Sequence, residues 1–130
     1  MTPSNFNHFH QIAIIFQIFA IKTDGDFSSN EKKSIQKLLG EWVGDQIETN
    51  KVLVESSKFL AEYDKKHSDQ ITDLLNHSSQ LILNAGMFSE DNLKSILADL
   101  QDIAMSNDGE IDDNKEAFIN YVASLWGIQI

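Results

Sequence analysis

Residues 12–42, IAIIFQIFAIKTDGDFSSNEKKSIQKLLGEW, decide the fold. The first ten are almost wholly apolar. Lys22, Thr23, Asp24, Gly25 and Asp26 then break the run, and Ile35, Leu38, Leu39, Trp42 and Val43 return at spacings of three and four, so the stretch reads as helix, turn, helix. Residues 96–126, ILADLQDIAMSNDGEIDDNKEAFINYVASLW, align with it at a constant offset of 84 with no gap, and eight of 31 positions are identical. About two identities would be expected between unrelated segments of ordinary composition. Among the eight are Ala20 and Ala104, Asp24 and Asp108, Gly25 and Gly109, and Trp42 and Trp126. The chain is therefore expected to be all-α, a single compact bundle of about six helices over 1–130 with an internally duplicated helix-turn-helix.

Outward from these two segments, one proline at position 3 and apolar spacings of three and four elsewhere leave no sustained alternation that would signal a strand. The pattern predicts helix one over about 5–22, apolar around most of its circumference and hence central. Helix two is expected over 28–46, opened by a Ser28-x-x-Glu31 capping box. Helix three is expected over 50–66 with Val52, Phe59, Leu60 and Tyr63 inward, and helix four over 68–85 with Ile71, Leu74, Leu75, Leu81 and Ile82 inward and Gly86 as a left-handed cap. Ser89 should cap helix five, whose Leu93, Ile96, Leu97, Leu100, Ile103 and Ala104 make the cleanest apolar stripe. Helix six should run 112–126 and stop at Gly127. Trp42 and Trp126 are expected to pack in the core at matching positions.

Composition excludes several classes of function. With no cysteine there are no disulfides, thiolate metal sites or cysteine nucleophiles, and a reducing cytoplasm is the natural compartment. No secretory leader is read at the start, and the longest apolar run, about ten residues broken by Gln17, falls short of the roughly 20 that span a bilayer. Net charge is −10, which opposes approach to a phosphate backbone or an anionic membrane. Neither nucleic acid binding nor direct membrane insertion is expected. Cations and basic patches on a partner protein are the natural attractants of such a surface, and solubility alone would also account for it. No nucleophile elbow, phosphate loop or dinucleotide fingerprint is present, so no enzyme is read from the chain.

The acidic turns are the candidate site, and they admit two readings. In the structural one, Gly25 and Gly109 supply a positive φ at a helix end, Asp24 and Asp108 accept backbone hydrogen bonds, and Phe27 and Ile111 plug the core as the chain reverses. The functional one starts from carboxylate density: Asp24, Asp26 and Glu31 in the first turn, Asp108 and Glu110 with Asp112, Asp113 and Glu116 in the second. A hard divalent cation, above all Ca²⁺, takes six to eight such oxygens. Placing either glycine at the sixth position of an EF-hand loop puts Ala20 or Ala104 at the first, so neither turn is an EF-hand. His8, His10, His67 and His77 lack the glutamate-histidine pairing of a di-metal bundle.

The pattern Ala20-x-x-x-Asp24-Gly25-Asp26-Phe27-x-x-x-Glu31, repeated as Ala104-x-x-x-Asp108-Gly109-Glu110-Ile111 and closed by Trp126-Gly127-Ile128, resembles the tellurite-resistance TerB family. A related domain precedes the J-domain in some membrane-tethered co-chaperones. The resemblance covers most of the chain and implies a cytosolic, non-enzymatic helical domain linked to tellurite resistance and stress response. It also implies a divalent-cation surface, with protein partners that are often membrane-associated. Carried onto this sequence, the metal candidates are Asp24, Asp26, Glu31, Asp108 and Glu110. Lys115 departs from the pattern, standing where an acid equivalent to Glu31 is expected, with Glu116 or Asp112 as possible substitutes.

Overall fold

A run of eight residues, Ile12, Ala13, Ile14, Ile15, Phe16, Ile18, Phe19 and Ala20, interrupted only by Gln17, is sealed from solvent on every side of one helix. That helix, α1 (His8–Asp24), can be apolar all round because it touches each of the other α-helices. In the computed structural model, which describes residues 2–24, 29–106 and 109–129 with Asp24 in its backbone only, these are α2 (Ser29–Val43), α3 (Gln46–His67), α4 (Ile71–Asn84), α5 (Glu90–Met105) and α6 (Asp113–Leu125). A short 3₁₀ turn, Ser68–Gln70, joins α3 to α4. The described residues are helical with no strand.

The core is continuous around α1. Ile35 and Leu39 of α2, Val52 and Leu60 of α3, Leu74 and Ile82 of α4, Ile96 and Leu100 of α5, and Ile119 and Val122 of α6 are all buried in it. Each such aliphatic side chain contributes about 1.5–3 kcal/mol relative to exposure. Phe19 of α1 meets Phe118 of α6 edge to face at 5.0 Å. The one polar interruption of that run is satisfied: Gln17 donates from Nε2 to Ser56 Oγ at 2.9 Å and accepts from Ser57 Oγ at 2.8 Å, fixing α1 against α3.

Several expected boundaries move, each for a local reason. α1 starts at His8 because Asn7 caps it, its Oδ1 accepting from Phe9 N at 2.9 Å and His10 N at 3.3 Å. α2 ends at Val43, three residues early, because Gly44 turns to φ +82° and Asp45 caps the next helix, its carboxylate accepting from Ile47 N at 2.9 Å. Helix three thus begins at Gln46 and takes in residues expected to be loop. Leu81 is exposed instead of inward, because the buried face of α4 passes through Ser78 and Ser79. The opening of α5 matches the expectation, Ser89 making a capping box with Asn92. Gly86 has the left-handed φ expected of a helix-ending glycine, and α6 stops just before Gly127. The two tryptophans differ: Trp126 is buried and donates to Ser79 O at 2.9 Å, while Trp42 is half-buried at the rim and donates to Asp99 Oδ2 at 2.8 Å.

Candidate functional site

The second acidic turn can be followed from α5 to α6 on either side of residues 107–108. Gly109, at φ +75°, donates its N–H to Met105 O at 2.9 Å and so closes the last turn of α5. A Cβ would be strained at that φ whatever the space around it. Glu110 and Ile111 follow on the surface. Ile111 therefore does not plug the core as expected: it lies in the extended approach to Asp112, beside Gln101 and Glu116, where the chain runs outside the bundle. Asp112 then caps α6, its Oδ1 accepting from Lys115 N at 2.9 Å.

Lys115 is the unexpected element of this turn. Its side chain is buried, and its Nζ donates to Ala104 O at 3.0 Å. Ala104 lies in the final turn of α5, where carbonyls lack intrahelical partners and the helix dipole is negative. A cation near the start of α6 is unfavourable for its own helix, but by reaching back it stands at the favourable end of its neighbour. At the matching position of the first segment Glu31 opens α2, and it too is buried, at 1% exposure. Two sealed positions 84 residues apart thus hold an acidic residue in one segment and a basic one in the other.

Of the five candidate ligands, Glu31 and Glu110 can be placed: Glu31 is buried and Glu110 exposed. Asp26, Asp108 and the side chain of Asp24 lie outside the described residues, as do Gly25, Phe27 and the Ser28 of the expected capping box. Among the described residues no three of His, Asp or Glu gather as a metal-holding group. His10 is held by its neighbours. His10 is buried under Phe6, stacked at 4.2 Å, with Nδ1 3.1 Å from Asn7 Oδ1 and Nε2 3.3 Å from Glu55 Oε1.

Two further features escaped the sequence. The half-buried Asp99 carboxyl is pushed up to about 6, first by burial, with Glu41 and Asp102 raising it further against the lowering effect of the Trp42 hydrogen bond. The other is a pair of depressions along the antiparallel α2–α3 pair. One, of about 310 Å³, is largely apolar, with Ile35, Leu53 and Val54 in its wall and Lys32 at its edge. The other, of about 480 Å³, is polar and holds Lys33, Lys37, Asp45 and Thr49. Gln36 borders both and bridges the helices, donating to Asn50 Oδ1 at 3.1 Å. Nothing in either helix alone announces this face, since its halves are about 20 residues apart in the chain. Among the described residues no helix is long and apolar enough to cross a membrane. Comparison of the chain with protein-family models, with curated proteins and with solved structures found no match to any of them.

Proposed function

We propose that this chain is a non-enzymatic, TerB-like helical domain that takes one divalent cation, Ca²⁺ by the chemistry of its oxygens, at the first acidic turn. The reading places it in the cytoplasm, in tellurite resistance or a related stress response, alongside a protein partner that is membrane-associated. The observation that carries it is that Glu31 and Lys115, both buried, stand at matching places in the two aligned segments. In the second turn the Lys115 ammonium lies on the Ala104 carbonyl at the end of α5 and supplies positive charge there. In the first segment Glu31, buried at the start of α2, stands at the aligned position, and the reading gives a bound cation there the role that the ammonium has in the second. Asp24 and Asp26 would complete the oxygens with Glu31. Asp108 and Glu110 would serve a turn that carries its own cation.

Calorimetric titration of metal-stripped protein with Ca²⁺, Mg²⁺ and Zn²⁺ tests this directly. One site per chain is expected, lost in Asp24→Asn and Glu31→Gln and kept in Asp108→Asn and Glu110→Gln. No heat and no thermal shift at millimolar ion would remove the proposal. A second reading, in which both turns are only caps and a groove between helices takes a segment of a partner, is favoured by the second turn, where Asp112 accepts from Lys115 N and Gly109 donates to Met105 O. There, Asp24→Asn and Asp108→Asn should each change stability by about 1 kcal/mol and leave partner binding unaltered.

A further inference from the structure

Charge is distributed unevenly along this chain. Residues 1–66 carry eight lysines against nine acids, whereas residues 67–130 carry two lysines against eleven. The nearly neutral half includes α2 and α3, and their shared outer face is where the lysines collect. Lys32, Lys33 and Lys37 are exposed on α2, and among the described residues none of them makes an ion pair. The outer stripe of α3 runs Ile47, Lys51, Val54, Lys58, alternating apolar and basic side chains at helical spacing. Ile47 is 82% exposed and Val54 67%, the two most exposed large hydrophobic residues among those described, and they stand two turns apart. Between the helices lies the apolar depression over Ile35 and Leu53. Asp45, at the far end of the face, is the acid among the lining residues.

We propose that the α2–α3 face is a docking surface for an acidic amphipathic helix of a partner protein, its apolar side entering the depression beside Leu53 and Val54 and its carboxylates meeting Lys32, Lys33 and Lys37. A helix laid in a groove reads apolar anchors at spacings of three, four and seven residues, and Ile47 and Val54 offer a matching seven-residue interval, about 10 Å long. Charge complementarity fixes the sign of the partner. In a chain of net charge −10, a face on which three exposed lysines make no ion pair among the described residues and Asp45 is the acid in the lining is where a carboxylate-rich segment is drawn in instead of repelled. A second copy could present only its acidic half, a contact between unlike surfaces that does not close into a dimer. An anionic bilayer would meet the field of the whole molecule. The proposal is independent of any cation at the first turn.

The test uses two synthetic peptides of about four helical turns. Both carry leucines at the anchor spacing; one has glutamates on its flanks and the other lysines in their place. Each is titrated to millimolar concentration into the full chain with chelator present, and the backbone amide resonances are followed. The acidic peptide is expected to shift α2 and α3 resonances selectively, more weakly as salt rises, and the basic peptide is not. The exposed triple variant Lys32→Glu, Lys33→Glu, Lys37→Glu should keep its melting temperature and weaken the acidic peptide about tenfold. Val54→Asp should weaken it as well. Equal binding of the two peptides, no binding at all, shifts centred on other helices, or indifference to the lysine reversals would each overturn the proposal. So would self-association in sedimentation, or binding to phosphatidylserine vesicles, that the lysine reversals abolish. Because chelator is present throughout, failure here leaves the cation reading standing, and a failed metal titration leaves this one.

Discussion

Single side chains set the character of both turns. Lys115 can be removed with little change of volume by Lys115→Met, which deletes the charge-assisted bond to Ala104 O and leaves a buried carbonyl without it. A loss of about 2 kcal/mol is expected in urea unfolding, with the helical spectrum retained. Asp99 gives a prediction in pH. Its carboxyl binds a proton more tightly when folded, the value moving from 3.8 to about 6, so its share of stability is greatest below pH 4 and falls as pH rises to about 6. Asp99→Asn keeps an acceptor for Trp42 and removes the ionisation. It should melt higher than the parent at pH 7, and the gap should close as pH is lowered towards 4. A gap independent of pH would show that the carboxyl does not titrate in that window. The buried Lys115 was in view in the sequence as a departure from an acidic pattern; its reach to α5 was not, because that depends on a side chain crossing from one helix to the end of another.

At the scale of elements, the junctions decide more than the helix interiors do. Ile47 continues the 35, 39, 43 stripe of α2 at the same spacing, so the pattern carries helix two straight through the Gly44-Asp45 junction. The structure breaks there because the turn has both parts it needs, a left-handed glycine and a capping aspartate, and Ile47 is turned out to solvent as part of α3. Asp45→Ala should cost about 1 kcal/mol through the loss of the α3 cap. Gly44→Ala should cost about 1–2 kcal/mol through the left-handed backbone. Both are measurable by thermal unfolding. By contrast, α5 was legible almost to the residue, since its serine cap and its apolar stripe agree on one start and one face. Leu81 was misplaced because hydrophobicity alone ranks it above Ser78 and Ser79, whereas helical geometry puts those serines on the buried side.

The whole molecule was legible in its class and in its centre. An apolar circumference with no strand pattern demands a helix wrapped by helices, and α1 is that helix. Which surfaces would face one another was not legible: the α2–α3 face and the Trp42–Asp99 pair both join residues remote in sequence. Because every helix leans on α1, unfolding is expected to be a single cooperative event. Trp42 fluorescence in a Trp126→Phe background should lose its folded signal at the same temperature as the far-ultraviolet circular dichroism, and two separated transitions would contradict a shared core. Phe16→Ala should cost about 3–5 kcal/mol, a large part of the 5–15 kcal/mol typical of a domain, and lower that one transition without splitting it. The position of α1 also bears on synthesis. The most water-averse helix leaves the ribosome before any of the helices that will cover it, and α6 is complete about 100 residues later. At about 5–20 residues per second, the nascent chain holds isoleucine and phenylalanine incompletely covered for roughly 5–20 s. During that interval it is a natural client for a chaperone at the exit tunnel.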